Sequence, residues 1–366
     1  MPEMKTWKWA YLKEQMGRKA QEDGQRLCED FNTYLTRVAG EGGKTADLSV
    51  HRILMCVFDG HAGADCMEFL KKEFHLILAR ELNENESDVE GCLRSTFKKA
   101  EDQWIEKATR GGTPNKSGAT CTAVLIQNNK LWCAHVGDSP VYIIMDPKKS
   151  KDPDRLTRDH HPDDPEERKR IESLGGSVVA DEVLIHKALC MGCIPERKIF
   201  KTARVLPGKI AVSRSIGDVK TKLEKYGGIP GCVSSEPEVT TRDMTDDMRA
   251  IAIFSDGVLQ GVVDQPTKSR DKIEEETQEF MRALQKNLLE QYKDGYKDIK
   301  AFGNIAGQRE PKEGETKMQY LVSRSVRDFL ETGVARGGVE HKNQDNTTVV
   351  LGINVNSFKG LPPFED

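Results

Sequence analysis

Apolar residues along this chain fall into two spacings, and each predicts its own kind of element. Short dense runs such as Ile53-Leu54-Met55-Cys56-Val57-Phe58, Trp132-Cys133-Ala134-His135-Val136, Ile251-Ala252-Ile253-Phe254 and Thr347-Thr348-Val349-Val350-Leu351 have the length and composition of buried strands. The runs over 119–126 and 130–136, separated by Gln127-Asn128-Asn129, predict a hairpin, and 140–145 continues it as the third strand of an antiparallel meander. A final strand is predicted over 347–355.

Elsewhere the apolar positions recur every three or four residues. Cys66, Phe69, Leu70, Phe74, Ile77, Leu78 and Leu82 predict an amphipathic helix over 64–82. Ser87-Asp88-Val89-Glu90 reads as a capping box opening a second helix, which carries Leu93, Phe97, Ala100 and Trp104. Asp164-Pro165-Glu166-Glu167 combines an N-cap, a first-turn proline and a capping glutamate, and Gly175-Gly176 stops that helix. Ile273, Phe280, Leu284, Leu288, Tyr292 and Tyr296 trace a long helical stripe over 268–302, followed by a polar loop over 303–317 and a helix over 318–330.

The strands share a second feature: a carboxylate stands where the apolar run meets a turn. Asp59 precedes Gly60-His61, Asp138 follows Val136-Gly137, Asp256 follows Phe254-Ser255, Asp345 precedes the final strand, and Glu22-Asp23 lie shortly after Gly17-Arg18. Asp-Gly alone is ordinary turn chemistry. A turn does not require a histidine directly after it, nor an arginine four residues before a Glu-Asp pair. Packed strands would bring these ends together, and clustered carboxylates are what hard divalent cations bind.

Composition narrows the alternatives. A chain of 366 residues is long enough for about two domains or one large core. With 37% hydrophobic and 31% charged residues and a net charge of -4, it offers no electrostatic footprint for nucleic acid. No apolar run approaches the roughly 20 residues that span a bilayer, and Met1-Pro2-Glu3-Met4-Lys5 leads into polar sequence, so the expectation is no membrane association and a cytoplasmic location, with the nucleus also open. Nine cysteines without regular spacing predict buried reduced thiols. Cys190 and Cys193 have the spacing of half a zinc site, but no second pair completes it, and a structural or incidental role is expected. None of the cysteines is followed by an arginine in the way a phosphocysteine mechanism requires.

The motifs GRKAQED, VFDGHAG, SGATCTAVLI, AHVGDSPVYI, RIESLGGSV, AVSRSIGD, SEPEV, SDGV and QDNTTVVL stand here in an order that resembles the metal-dependent Ser/Thr protein phosphatases of type 2C, from about Gly17 to Ile353. Within that family the chain is most similar to the animal stress-response branch. Gln21 stands where the family usually has methionine, and Gln260 where it usually has an acid. The resemblance implies an α+β fold, a four-layer αββα sandwich of two packed antiparallel sheets flanked by helices. The whole of 1–366 would be a single catalytic domain, with a flap subdomain at about 177–235 and a helical insertion at about 264–317.

It also implies a site. Asp23, Asp59, Asp256 and Asp345 would hold two Mg2+ or Mn2+ ions, with Glu22 acting directly or through water and Gly60 lending its carbonyl. Asp138 would help hold a third, weaker ion, made doubtful by the neutral amide of Gln260. Five carboxylates call for cations, since each close pair would otherwise repel by about 4 kcal/mol at contact distances near 4 Å. Arg18 would clamp phosphate with its planar fork, and His61 would act as general acid to the departing seryl or threonyl oxygen, its charged form favoured by nearby carboxylates. The attacking group would be a hydroxide held between the two ions. Asp218 is a further acid within the motifs, Arg214 would brace the site by ion pairing, and His160 and His161 would organise a loop. The expected partners are phosphorylated proteins, met by a monomer. The rival reading is a catalytically weak or inactive member that acts as a phosphoprotein-binding module. A third is a metal-dependent esterase of small phosphates.

Overall fold

Strands rich in β-branched and aromatic residues collect into two five-stranded antiparallel sheets. The computed structural model describes residues 7–15, 20–146, 148–186, 197–260, 275, 277–279, 281–282 and 346–354. In chain order the elements are β1 (Trp7–Glu14), β2 (Gly24–Cys28), α1 (Asn32–Ala39), β3 (Arg52–Phe58), β4 (Gly60–His61), α2 (Asp65–Asn85), α3 (Val89–Ala108), β5 (Gly118–Ala119), β6 (Cys121–Gln127), β7 (Lys130–Val136), β8 (Val141–Met145) and β9 (Asp154–Arg155). There follow α4 (Pro165–Ser173), β10 (Ser177–His186), β11 (Arg197–Leu206), β12 (Ile216–Gly217), α5 (Val219–Lys222), β13 (Glu238–Asp243), β14 (Met248–Phe254), α6 (Asp256–Gln260) and β15 (Thr347–Asn354). One large sheet runs β13-β7-β6-β3-β2 and the other β1-β15-β14-β8-β9. A small sheet, β12-β5-β4, and the hairpin β10-β11 stand apart from them.

The first sheet is buried on both faces, which is why β3 reads as an unbroken apolar run. Leu54, Cys56 and Phe58 pack with α1, α2 and α3, in a core that includes Leu35, Phe74, Phe97 and Trp104. Ile53, Met55 and Val57 point the other way and share a core with Val141 and Ile143 of β8, Ile251 and Ile253 of β14 and Val350 of β15. Phe74 meets Phe97 edge to face at 5.1 Å. Each such fully buried side chain contributes roughly 1.5–3 kcal/mol. Helices, first sheet and second sheet therefore form three successive layers, so that the strand ends of both sheets can reach one rim. The hairpin region carries its own small core of Ile171, Val205, Cys232 and Val233.

Local detail departs from the sequence reading in four places. The strand over 140–145 does not extend the β6-β7 hairpin. Gly137 at φ 100° turns the chain, and β8 joins the second sheet beside β14. The β6-β7 turn itself is tighter than expected, with Asn128 and Asn129 both at positive φ. The cap of α3 is Asp88 rather than Ser87: its carboxylate accepts from Gly91 N at 2.8 Å, while Ser87 donates to Asn85. Glu167 does not reach back to cap α4, since its carboxylate is drawn to two arginines; Asp164 alone accepts from Glu166 N and Glu167 N. The helices expected beyond residue 264 fall largely outside the described residues, although Glu275, Thr277–Glu279 and Met281–Arg282 are helical. Seven described cysteines are all buried free thiols, as expected; Cys190 and Cys193 lie outside the described residues. Among the described residues no helix is long and apolar enough to cross a membrane.

Candidate metal centre

Main-chain bonds fasten the strand ends to one another before any side chain is considered. Asp59, just past β3, accepts from Thr120 N at 2.8 Å through its carbonyl and donates from its own N–H to Thr120 Oγ1 at 3.2 Å. Gly60 N donates to Glu22 O at 3.2 Å, and a Cβ at Gly60 would lie only 2.4 Å from that oxygen, so glycine is what lets the two acidic segments close. In the second sheet, Ser255 N donates to Thr348 O and Thr348 N to Ser255 Oγ, both at 2.9 Å, which sets Asp256 beside the start of β15. Asn346 Nδ2 reaches Ala20 O at 3.0 Å and ties that start to the Glu22-Asp23 segment.

Four carboxylates converge as a result. The Asp59 carboxyl is pushed well above the usual carboxylate range, first by burial and then by the negative charge of Asp256, Asp23 and Asp138 around it. Asp23 is 1% exposed. Asp138 is also raised, by burial against the opposing pull of His161, whose Nε2 lies 3.7 Å from Asp138 Oδ2. Mutually repelling buried acids are stable as anions only with a cation among them, and an all-oxygen donor set suits Mg2+ or Mn2+. The residues present fit such ions. Glu22 sits close enough for its charge to act on His61. Arg18 and Asp345 lie outside the described residues, and so does the side chain of Gln260.

His61 meets an acid that sequence reasoning had left without a role. Its Nε2 is 2.9 Å and 2.8 Å from the two carboxylate oxygens of Asp218. Burial opposes the charged imidazole, but Asp218, followed by Asp138 and Glu22, outweighs it and raises the His61 pKa.

Among the described residues, His135, His160 and Glu238 bring one possible ligand atom each within 4.8 Å of the others. Their hydrogen bonds argue against a cation. Gly137 N donates to His160 Nδ1 at 3.0 Å, which assigns the ring hydrogen to Nε2, facing Glu238 Oε1 at 3.5 Å. Glu238 is further neutralised by Arg158 at 2.5 Å and Arg214 at 3.5 Å. The group joins the 158–161 loop to β13, in keeping with the loop-organising role expected of His160.

Arg214 does brace the surroundings: its Nη2 donates to Glu167 Oε1 at 2.7 Å. Burial works against ionised Glu167, but hydrogen bonds from Arg214, Arg170 and Ser213 overcome it and hold the carboxyl at about 2. A depressed folded-state pKa stabilises above the ordinary value of 4.5 and loses that contribution as pH falls towards about 2. Glu167→Gln should therefore lower Tm at neutral pH, and the gap from the unmutated protein should narrow as melting curves are taken from pH 7 towards about pH 3. A gap that stays constant with pH would mean that the charge contributes nothing.

Known proteins share the sequence pattern and the fold. The family model described as Protein phosphatase 2C matches residues 18–292. The human integrin-linked kinase-associated serine/threonine phosphatase 2C is 28% identical over 252 residues, covering 67% of this chain and 57% of that protein. Human Protein phosphatase 1F is 28% identical over 284 residues, 78% of this chain and 52% of the relative. The chain thus spans little more than half the length of these curated relatives. Among solved structures, serine-threonine phosphatase 2C from Toxoplasma gondii superposes with a TM-score of 0.59 at 19% identity, over 95% of this chain and 94% of that one, which speaks to the fold. Acidic strand ends brought to one rim, and a family model that spans most of the sequence, lead to one conclusion: the chain belongs to the protein phosphatase 2C family.

Proposed function

We propose that this protein hydrolyses phosphoserine and phosphothreonine in protein substrates with two Mg2+ or Mn2+ ions. The observation that carries the reading is the convergence of Asp23, Asp59, Asp138 and Asp256, an all-oxygen set whose anionic form bound cations would stabilise. Asp59, Asp256 and Asp23, together with Asp345, Glu22 and the Gly60 carbonyl, would hold the two ions. Asp138 would lie on a third, weaker site if one forms beside Gln260. Bound ions would supply neutralisation of the phosphate and activation of the attacking water.

The chain's own residues do the rest. Arg18 would bind the phosphate oxygens. His61, whose pKa Asp218 raises, would give a proton to the seryl or threonyl oxygen as that oxygen leaves with the electron pair of the broken P–O bond. For the architecture, the proposal is a single catalytic domain built as a four-layer αββα sandwich, two packed antiparallel sheets flanked by helices. The proposal extends to a monomer in the cytoplasm, with the nucleus as the alternative location.

His61→Gln tests the assignment. A general acid matters most when the departing oxygen is basic, so turnover of a phosphoserine peptide should fall about 10²–10⁴-fold, and at least tenfold more than turnover of an aryl phosphate. Calorimetric Mn2+ binding should persist. An equal loss on both substrates would remove His61 from the role of proton donor.

A further inference from the structure

We propose that Asp218 is the positioning residue of His61: it fixes the imidazole with Nε2–H on the carboxylate and leaves Nδ1 to face the departing oxygen. This rests on the phosphatase reading and deepens it.

The pair is built by the small sheet. Gly118 of β5 lies between two partners, His61 of β4 on one side and Gly217 of β12 on the other. His61 and the residue after Gly217 thus reach towards each other across a position with no side chain. A Cβ on Gly118 would stand 2.3 Å from Asp218 Oδ2 and 2.6 Å from His61 Nε2, so only glycine leaves the contact open.

The acid is held as a fixed object. Its side chain is 1% exposed while that of His61 is 29% exposed, so the pair has a buried anchor and an accessible tip. Ser215 Oγ donates to Asp218 Oδ2 at 2.6 Å. The Asp218 backbone adopts left-handed geometry, φ 55° and ψ 43°, which is unfavourable for a non-glycine residue and persists where its surroundings determine it. Those surroundings are explicit. Asp218 N donates to Ser117 O, Thr221 N returns to Asp218 O at 2.8 Å, and Gly217 N donates to Glu101 Oε2 at 2.8 Å. Glu101 is itself paired with Lys222, whose Nζ also donates to Ser215 O.

The chemical consequence concerns which nitrogen carries the proton. With both oxygens of Asp218 on Nε2, the neutral ring keeps its hydrogen there after Nδ1 has given its proton to the seryl oxygen; solvent then reprotonates Nδ1, and the attacking water's proton leaves to solvent. An asparagine at 218 would accept from Ser215 with its carbonyl and turn its NH2 towards Nε2. That arrangement favours the opposite tautomer and disfavours the neutral Nε2–H ring that proton donation from Nδ1 leaves behind.

The test reads the tautomer directly. In the full-length protein labelled with 15N-histidine, two-bond 1H–15N correlations at a pH where His61 is neutral should show Nε2–H, and Asp218→Asn should shift it towards Nδ1–H. The same variant should lose at least tenfold more turnover on a phosphoserine peptide than on an aryl phosphate, with calorimetric Mn2+ affinity retained. A neutral Nδ1–H tautomer in the unmutated protein overturns the proposal, and so does an equal loss on both substrates or a loss of Mn2+ binding. If Asp218→Asn does not fold, the tautomer of the unmutated protein decides alone. That signal is readable whether or not the protein turns over phosphopeptide, so failure of the pairing and failure of the phosphatase reading are distinguishable.

Discussion

Asp59→Ala abolishes turnover: the expected loss is roughly 10³-fold or more, the scale on which removal of a principal electrostatic contributor to a transition state is felt. Asp59 lies at the centre of the cluster, with Asp256, Asp23 and Asp138 all acting on its carboxyl. Removing it opens the ligand set of both proposed ions at once. Calorimetric titration with Mn2+ should show binding lost or weakened by orders of magnitude, and Asp256→Ala should behave alike. Stability should move in the opposite direction. A carboxyl whose folded-state pKa is raised stabilises only while protonated, and that contribution is lost as pH rises through the folded value. The metal-free protein therefore carries a cost at neutral pH that Asp59→Ala relieves, so its metal-free Tm should rise. Normal Mn2+ binding and unimpaired turnover in this variant would dissolve the proposed centre.

Glu101→Ala is expected to have the largest effect on folding. Glu101 and Lys222 form an ion pair at 2.7 Å with side chains only 8% and 7% exposed. Truncating the acid leaves a buried ammonium without its counter-charge and also strips the partner from Gly217 N. Breaking such a pair costs about 3–5 kcal/mol, which should appear as a large drop in the urea midpoint. The double variant Glu101→Leu with Lys222→Met removes both charges and should regain most of that loss, because it no longer strands either one. A single variant as stable as the unmutated protein would show that Lys222 finds water or another partner without cost.

The acid-bearing strand ends were the most legible part of the sequence because their signal is local. An acid at the end of an apolar run, as at Phe58-Asp59 or Ser255-Asp256, marks a strand end, and antiparallel sheets gather strand ends at a rim. The helices α2 and α3 were legible for the same reason: their apolar stripes repeat within a few turns. What escaped was pairing between distant segments. Nothing in Val141–Met145 distinguishes a third meander strand from one that crosses to the other sheet, since both faces are buried in either place. The N-terminal strand β1 went unnoticed because 7–14 has no clean alternation. Its evidence lies elsewhere, in Gly352, where a Cβ would stand 1.9 Å from the Trp9 ring. The contact of His61 with Asp218 spans 157 positions and depends on β5 lying between two two-residue strands, which no spacing records.

The proposed function is metal-dependent removal of phosphate from proteins. Its most direct measurement is release of phosphate from a phosphothreonine peptide in Mn2+, then with excess chelator, then with Mn2+ restored. The expected result is steady turnover that chelation stops and restored metal recovers. Turnover that persists in chelator would contradict the metal centre, and capture of the phosphopeptide without release of phosphate at any metal concentration would point instead to a phosphoprotein-binding module.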